Sequence, residues 1–287
     1  MQQISRALVI ANEKKPIARK VKKEAQKFLL LHGIRILPHP ELPQDVAQQC
    51  NRRWREAPAE FGRQRSGAPL ENLRRQGASA PWIGLSAHSP NLIITVGGDG
   101  TVLFPKKYYG IPFFSIGSKT SFICQSDFSN WKKKLARALS RPLKLERRLL
   151  LEASVNGKKL PLALNEIGIR NPEPRLLSMH LQSRKKNFAF RADGVFFSTP
   201  TGSPAYCYSC GGKEMKRAAR QYQIVAIAPF RRLFSPTTVS ASSSCTLRIS
   251  GAGISHLFID GQPHGSFSEK QTLRVKGSKT PFYFVRA

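Results

Sequence analysis

Apolar and polar residues follow two rhythms along this chain, and the change of rhythm divides it. Residues 4–11 (ISRALVIA) form a short apolar run of strand type. The segment KKPIARKVKKEAQKFLLLHG then places Ile17, Val21, Ala25, Phe28 and Leu29 on one helical face, with Lys and Arg on the other. Gly33 marks its stop, and Ile34–Leu37 returns to strand character. Strand, helix, strand predicts a parallel βαβ unit. From about 38 to 90 the periodicity fails, and the stretch reads as a partly irregular insertion with at most a short helix in VAQQCNRRWREA. NLIITV (91–96) is a buried strand and IPFFSI (111–116) the next, followed by helical spacing at Trp131, Leu135 and Leu139. Beyond Arg141 apolar and polar residues alternate, with turns expected at Asn156-Gly157 and Asp260-Gly261. The chain therefore reads as an α/β part and a mostly β part, divided near residues 139–146.

Composition sets limits on this picture. The 287 residues are 40% hydrophobic, enough for one large or two medium domains with a real core. No apolar stretch approaches bilayer-spanning length, so membrane insertion is not expected. The N-terminal MQQISRALVIANEKK has too short an apolar run for a secretory signal, which makes a cytoplasmic protein the expectation. Five scattered cysteines do not suggest a disulfide framework. The formal net charge is +30, from 47 Lys and Arg against 17 Asp and Glu. Such a surface attracts polyanions, from nucleotides to nucleic acid and polyphosphate. The basic residues lie in many short clusters, such as Lys132–Lys134 and Arg231–Arg232, which is the pattern of a solvated basic face open to non-specific polyanion binding.

Four constellations carry chemistry. In NLIITVGGDGT, glycines at the carboxyl end of a predicted strand let the chain turn and bring backbone N–H groups to an anion. Asp99 would repel phosphate, and makes sense if it holds Mg²⁺ or accepts a proton from an attacking hydroxyl. A plain glycine turn with a capping aspartate is the alternative. The loop lacks the Lys-Ser/Thr end of a Walker motif. In ADGVFFSTPTGSPAYCYSCGG, a strand over 195–198 runs into a hydroxyl-rich turn. In LNEIGI, Asn165 and Glu166 sit between apolar residues and need polar partners. In FIDGQPHG, Asp260 either faces a cleft or closes the hairpin turn. Cys207 and Cys210 have no second Cys/His pair at ligand spacing, and read as small residues packed on a helix; no protein metal cluster is expected.

GGDGT, LNE, ADGVFFSTPTGSPAY and IDGQ, in this order and spacing, resemble the NAD kinase family. GGDGT by itself is shared with lipid kinases of the diacylglycerol and sphingosine type, whereas TPTGSPAY with its upstream Asp-Gly is far more specific. The resemblance covers about residues 91–265 and implies a Rossmann-like α/β domain, a C-terminal β-rich, sandwich-like domain, and an active site between them. On this chain that gives residues 1–140, 141–270, and a closing segment 271–287 packing back on the first domain. It implies phosphoryl transfer from ATP or polyphosphate, with Mg²⁺ or another divalent metal, to the 2′-hydroxyl of the adenosine ribose of NAD, giving NADP, and a homo-oligomer, either dimer or tetramer. Carried over, Asp99 activates the hydroxyl, Gly97, Gly98, Gly100 and Thr101 form the donor-phosphate loop, and Phe122 lines the adenine pocket. Asn165 and Glu166 match the pair that binds NAD, and Asp193, Thr201, Ala205, Tyr206 and Ser209 the remaining NAD-binding positions. Departures are Pro105, which should stop the helix after the glycine loop, IPFFSIGSKTSF in place of a glycine-richer run, and Pro204 where Thr is common. Two rivals use the same features: a lipid kinase sharing GGDGT, and a non-catalytic basic nucleotide- or nucleic-acid-binding protein on the same fold.

Overall fold

The computed structural model describes residues 4–38, 89–105, 109–140, 142–173, 175–183, 186–251 and 255–286; the expected insertion and its short helix lie largely outside these. Among the described residues the chain builds three sheets. The first takes β1 (Arg6–Ala11), β2 (Arg35–Ile36), β3 (Leu92–Val96), β4 (Pro112–Gly117) and β5 (Ser126–Asp127), all pairing in parallel. Helix α1 (Pro16–Leu31) starts with Pro16 in its first turn, where a missing N–H costs nothing. It buries Ala18, Val21, Ala25 and Leu29 against the sheet. Ile17, placed on that face by the sequence pattern, is instead half exposed, and Ala18 packs in its stead. Gly33 takes φ +71°, a conformation that ends the helix. Two more helices follow, α2 (Asp99–Leu103) and α3 (Trp131–Leu139); α3 joins α1 on the same sheet face through Trp131 and Leu135.

One strand beyond residue 140 returns to the first sheet. Strand β6 (Lys144–Arg148) belongs to the first sheet, where it pairs antiparallel with the last strand, β19 (Phe282–Arg286). β19 in turn pairs in parallel with β4, giving the order β2-β1-β3-β4-β19-β6. The reason is long-range: β6 finds its partner at the far end of the chain, which no local pattern announces.

The remaining strands form two six-stranded antiparallel sheets. One is built from β7 (Leu151–Val155), β8 (Lys158–Lys159), β10 (Leu177–Ser183), β11 (Lys186–Ala192), β15 (Cys245–Ser250) and β18 (Leu273–Gly277). The other is built from β9 (Glu166–Arg170), β12 (Gly194–Ser198), β13 (Gln221–Ile227), β14 (Thr237–Ser240), β16 (Ser255–Ile259) and β17 (Gln262–Phe267). Their alternating inner residues, such as Ile167, Val195 and Ile224 facing Met179, Leu247 and Val275, make one sandwich core. Both expected two-residue turns are present. Asn156 and Gly157 take φ +48° and +82°, and Asp260 and Gly261 take φ +51° and +71°, the left-handed pair of a type I′ hairpin.

The face of the first sheet away from α1 packs Leu8, Ile93, Phe113 and Phe284 against Leu150 and Leu164. The second part of the chain thus lies directly on the first sheet. The loops that follow β3 and β4 are held close to those that follow β12.

Candidate active site

β3 ends at Val96, and the chain turns through Gly97 (φ +154°) and Gly98 (φ +149°), backbone that L side chains seldom adopt. A Cβ on Gly97 would lie 2.5 Å from Thr101 Oγ1 and 2.8 Å from Asn12 Cβ, so the glycine is required for closeness as well as for φ. Gly97 N–H donates to Ile116 O at 2.8 Å, and Thr101 N–H to Gly98 O at 3.0 Å. Gly100 is exposed with open space where a Cβ would go. Helix α2 stops at Leu103, two residues before Pro105, as the proline requires.

Asp99, at the first position of α2, is half-buried. Its Oδ2 accepts Phe122 N–H at 2.9 Å and its Oδ1 accepts Ile123 N–H at 3.0 Å. The Cys124 thiol lies 3.8 Å from Oδ1, and burial together with the neighbouring Asp99 charge pushes that thiol up to about 12. The segment leading into it turns on side-chain hydroxyls instead of glycines: Ser118 N–H donates to Ser121 Oγ at 3.2 Å, and Ser118 and Thr120 hydroxyls meet at 2.9 Å. Phe122 is 65% exposed, and its carbonyl accepts an Nη2–H of Arg217 from the β-rich part at 3.4 Å.

The facing wall is the turn after β12. Thr199 is fully buried; its hydroxyl donates to Leu164 O at 2.5 Å and accepts Thr201 N–H and Gly202 N–H, each at 3.1 Å. Ser203 Oγ donates to Pro200 O and accepts Met215 N–H, both at 2.9 Å. A Cβ on Gly202 would meet Asn165 O at 2.5 Å, so this turn lies flat on the backbone that leads into β9. Asp260 neither opens on a cleft nor merely closes its hairpin. It is 3% exposed, and its carboxylate accepts the N–H groups of Asn165 (2.7 Å), Glu166 (3.2 Å) and Leu164 (3.2 Å). That fixes the entry to β9. Asn165 and Glu166 are both buried there, and Asn165 Oδ1 has no hydrogen-bond partner among the described residues.

Tyr206 stacks on Phe196 with ring centroids 5.1 Å apart and planes 11° from parallel. Desolvation is the main reason its phenol is raised above the ordinary tyrosine value, and Cys210, Arg170 and Asp193 lie close enough to act on it. Ala205 and Ser209 are exposed on the same turn. Cys207 is fully buried beside Phe196 and Val225, so it packs as a small core residue, as its spacing suggested.

A pocket of about 140 Å³ opens between the two walls, lined by Phe122, Arg148, Thr201, Ser203, Glu214 and Arg217 among others. Of the residues singled out from sequence, Phe122 and Thr201 line it and Asp99 is bonded directly behind Phe122. Asn165, Glu166, Asp193, Ala205, Tyr206 and Ser209 lie outside its lining: Asn165 and Glu166 at the entry to β9, Asp193 just before β12, and the other three in the turn after β12.

Sequence reasoning missed Arg148 and Arg217. Arg148 is 3% exposed, with Nε 2.8 Å from Glu146 Oε1 and Nη1 donating to Thr201 Oγ1 at 3.3 Å. Burial first, and the neighbouring positive charge of Arg217 as well, draw it below the usual arginine value, against the pull of Glu146. A signal existed: Glu146 and Arg148 stand two apart in a strand, hence on one face.

A glycine turn bearing one carboxylate, set across a crevice from a hydroxyl-rich turn on a β-sandwich, defines a small-molecule kinase. The ATP-NAD kinase N-terminal domain model matches residues 7–141, and the ATP-NAD kinase C-terminal domain model matches residues 164–287. This chain belongs to the NAD kinase family. It is 30% identical to an NAD kinase of Methanospirillum hungatei over 72% of this chain and 79% of that one, and 31% identical to an NAD kinase of Nitratidesulfovibrio vulgaris over 77% of each. Its fold is shared with yeast NADH kinase complexed with NADH (TM-score 0.77, 20% identity, 100% of this chain and 84% of that one). It is shared also with an Archaeoglobus fulgidus NAD kinase in complex with ATP (TM-score 0.69, 20% identity, 97% of this chain and 92% of that one). The family models reach well beyond the motif region, into the first strand and helix and through the last strand. The lipid-kinase reading of GGDGT falls with this assignment.

Proposed function

We propose that this chain transfers the terminal phosphoryl group of ATP or polyphosphate to the 2′-hydroxyl of the adenosine ribose of NAD, forming NADP. The observation that carries the proposal is the placement of Asp99: its carboxylate leaves the glycine turn and ties down the loop of Phe122, which lines the pocket with Thr201. Asp99 Oδ1 accepts the Ile123 N–H and faces the Cys124 thiol, whereas Oδ2 accepts only the Phe122 N–H and retains a lone pair for a ribose hydroxyl. As the new bond to phosphorus forms, Asp99 takes the hydroxyl proton. Gly97, Gly98, Gly100 and Thr101 present backbone to the donor phosphates.

Phe122 supplies an exposed ring for adenine. Asn165 and Glu166, with Asp193, Thr201, Ala205, Tyr206 and Ser209, hold the rest of NAD. Asp260 works through Asn165 and Glu166 as a positioning residue. Among the described residues no three His, Cys, Asp or Glu side chains converge as a metal site. A divalent ion such as Mg²⁺ fits this donor set as a companion of the donor phosphates, with Asp99 the nearest protein carboxylate of the loop, and would neutralise charge on the transferring group.

No described helix is long and apolar enough to cross a membrane. We further propose a cytoplasmic homo-oligomer, dimer or tetramer, for which the exposed Tyr208 and Leu233 offer apolar contact. The test is NADP formation by purified protein with NAD, Mg²⁺ and each donor in turn. Binding of NAD without turnover on either donor would overturn the proposal in favour of a non-catalytic nucleotide-binding protein.

A further inference from the structure

Arg148 and Arg217 face one pocket from two sides, and neither is accounted for by the roles above. Arg148 comes from β6 of the first sheet and Arg217 from the loop before β13. Their charges are unequally matched. Glu146 answers Arg148 at 2.8 Å but also stands 3.7 Å from Arg286, so one carboxylate serves two guanidinium groups. Among the described residues no carboxylate forms an ion pair with Arg217, whose hydrogen bond goes to the neutral carbonyl of Phe122.

The hydrogen-bond directions point the same way. Thr201 Oγ1 accepts from Arg148, so its own proton is turned away from Arg148 and is free to donate. A guanidinium has five N–H groups; Arg148 commits Nη1 to Thr201 and turns Nε to Glu146, and Arg217 commits one Nη. The pocket is thus bordered by two cationic forks and a hydroxyl donor. Glu214 on the lining is the opposing feature, a carboxylate that repels an incoming anion.

We infer that Arg148, Arg217 and Thr201 form a subsite for a phosphate dianion, which in the reaction is the transferring group: the terminal phosphate of the donor, the 2′-phosphate of the product, or both in succession. The inference rests on the phosphotransferase reading, and it deepens it by placing the group being transferred. Planar forks on two sides suit a tetrahedral oxyanion better than a carboxylate, because three acceptor oxygens meet donors from separate directions. Arg148 is preorganised by burial and by Glu146, whereas Arg217 is exposed and makes one long hydrogen bond, 3.4 Å, to Phe122 O.

The test titrates inorganic tripolyphosphate, NADP and NAD separately into the full chain and into Arg217→Ala, Arg217→Lys and Glu214→Gln, with NADP-forming kinetics alongside. These positions are exposed, so the variants should fold; Arg148→Ala, which would strip a buried ion pair, is not needed. Arg217→Ala should weaken tripolyphosphate or NADP by at least ten-fold and NAD by less than two-fold, with Arg217→Lys in between and Glu214→Gln binding two- to five-fold tighter. Loss confined to tripolyphosphate places the donor's phosphate there, loss confined to NADP places the product's 2′-phosphate there, and loss of both assigns the site to each in turn. Unchanged affinity for both phosphates, or a fall in NAD affinity alone, overturns the subsite and leaves Arg217 as a brace for Phe122. If the wild-type chain binds tripolyphosphate through Arg217 yet makes no NADP, the kinase proposal fails and the subsite stands.

Discussion

The carboxylate of Asp99 accepts the backbone N–H of Phe122 at 2.9 Å, so the group proposed to take the substrate proton also sets the position of the ring proposed to meet adenine. The two tasks cannot be separated by the mildest substitution. An aspartate accepts N–H groups at both oxygens, as Asp99 does with Phe122 and Ile123, whereas an asparagine turns one amide N–H₂ toward one of them.

Asp99→Asn should therefore lower NADP formation by roughly 10²–10⁴-fold, the range for losing a positioned acid–base group. It should also raise the KM for NAD, because the loop of Phe122 shifts. Steady-state kinetics in both substrates decide it, and a variant with wild-type turnover would remove Asp99 from the chemistry.

Gly97→Ala and Gly100→Ala should part company. The first forces a Cβ to 2.5 Å from Thr101 Oγ1 at a φ of +154°, and should destabilise the fold by about 1–3 kcal/mol. The second meets open space inside a helical turn and should leave stability unchanged or raised by about 0.5–1 kcal/mol. Urea unfolding midpoints measure the difference.

Asp260→Asn should impair both stability and NAD binding although Asp260 is only 3% exposed. One of its oxygens serves the N–H groups of Asn165 and Glu166 and the other that of Leu164. Placing an amide donor there opposes at least one buried N–H, at a cost of about 1–3 kcal/mol. Thermal unfolding and NAD titration should move together; a change in stability with NAD affinity intact would separate Asp260 from the site.

Tyr206→Phe should keep NAD affinity nearer to wild type than Tyr206→Ala does. Its near-parallel stack on Phe196 survives in phenylalanine and is lost in alanine, a difference of about 0.5–1.5 kcal/mol.

Alkaline conditions should weaken the fold through Cys124. Its thiol is pushed up to about 12 in the folded chain, above the ordinary value near 8.5–9 that it regains on unfolding. Below the lower value both states are protonated and the full contribution is present. Between the two, the unfolded chain releases the proton first, so stability falls as pH rises. Urea midpoints measured from pH 7.5 to 10.5 should decline less steeply in Cys124→Ala than in the wild type. The same burial predicts slow alkylation of this thiol in the folded chain.

The local patterns were legible where local physics decides the outcome. Apolar periodicity located β1, α1 and β3, the helix stop at Gly33 was visible as a glycine, and both Asn-Gly and Asp-Gly pairs became left-handed hairpin turns. Asn165, Glu166 and Asp260 stood out because polar groups between apolar neighbours require partners, although sequence did not show that they partner one another. Arg148 was not legible for the opposite reason. Among 47 lysines and arginines, the one local hint was the spacing of Glu146 and Arg148, two apart in a strand, and that spacing does not say which face folding buries. The closing segment was expected to return to the first domain, but the membership of β6 in the first sheet was hidden, since its pairing with β19 spans residues 144 to 286.

That pairing bears on how the molecule is made. β19 is synthesised after every other described strand, yet it lies inside the first sheet, between β4 and the edge strand β6. Until it emerges from the ribosome, β4 is bare along Pro112 and Phe113, since β5 covers only Ile116 and Gly117, and Phe113 lacks the ring of Phe282 that packs 4.6 Å from it. The nascent first half therefore waits with an open seam, vulnerable to strand addition by other chains, while the sandwich has nearly all its strands at hand. Birth order and assembly order run in opposite directions here, and the loop bearing Asp99 is anchored in the half that closes last.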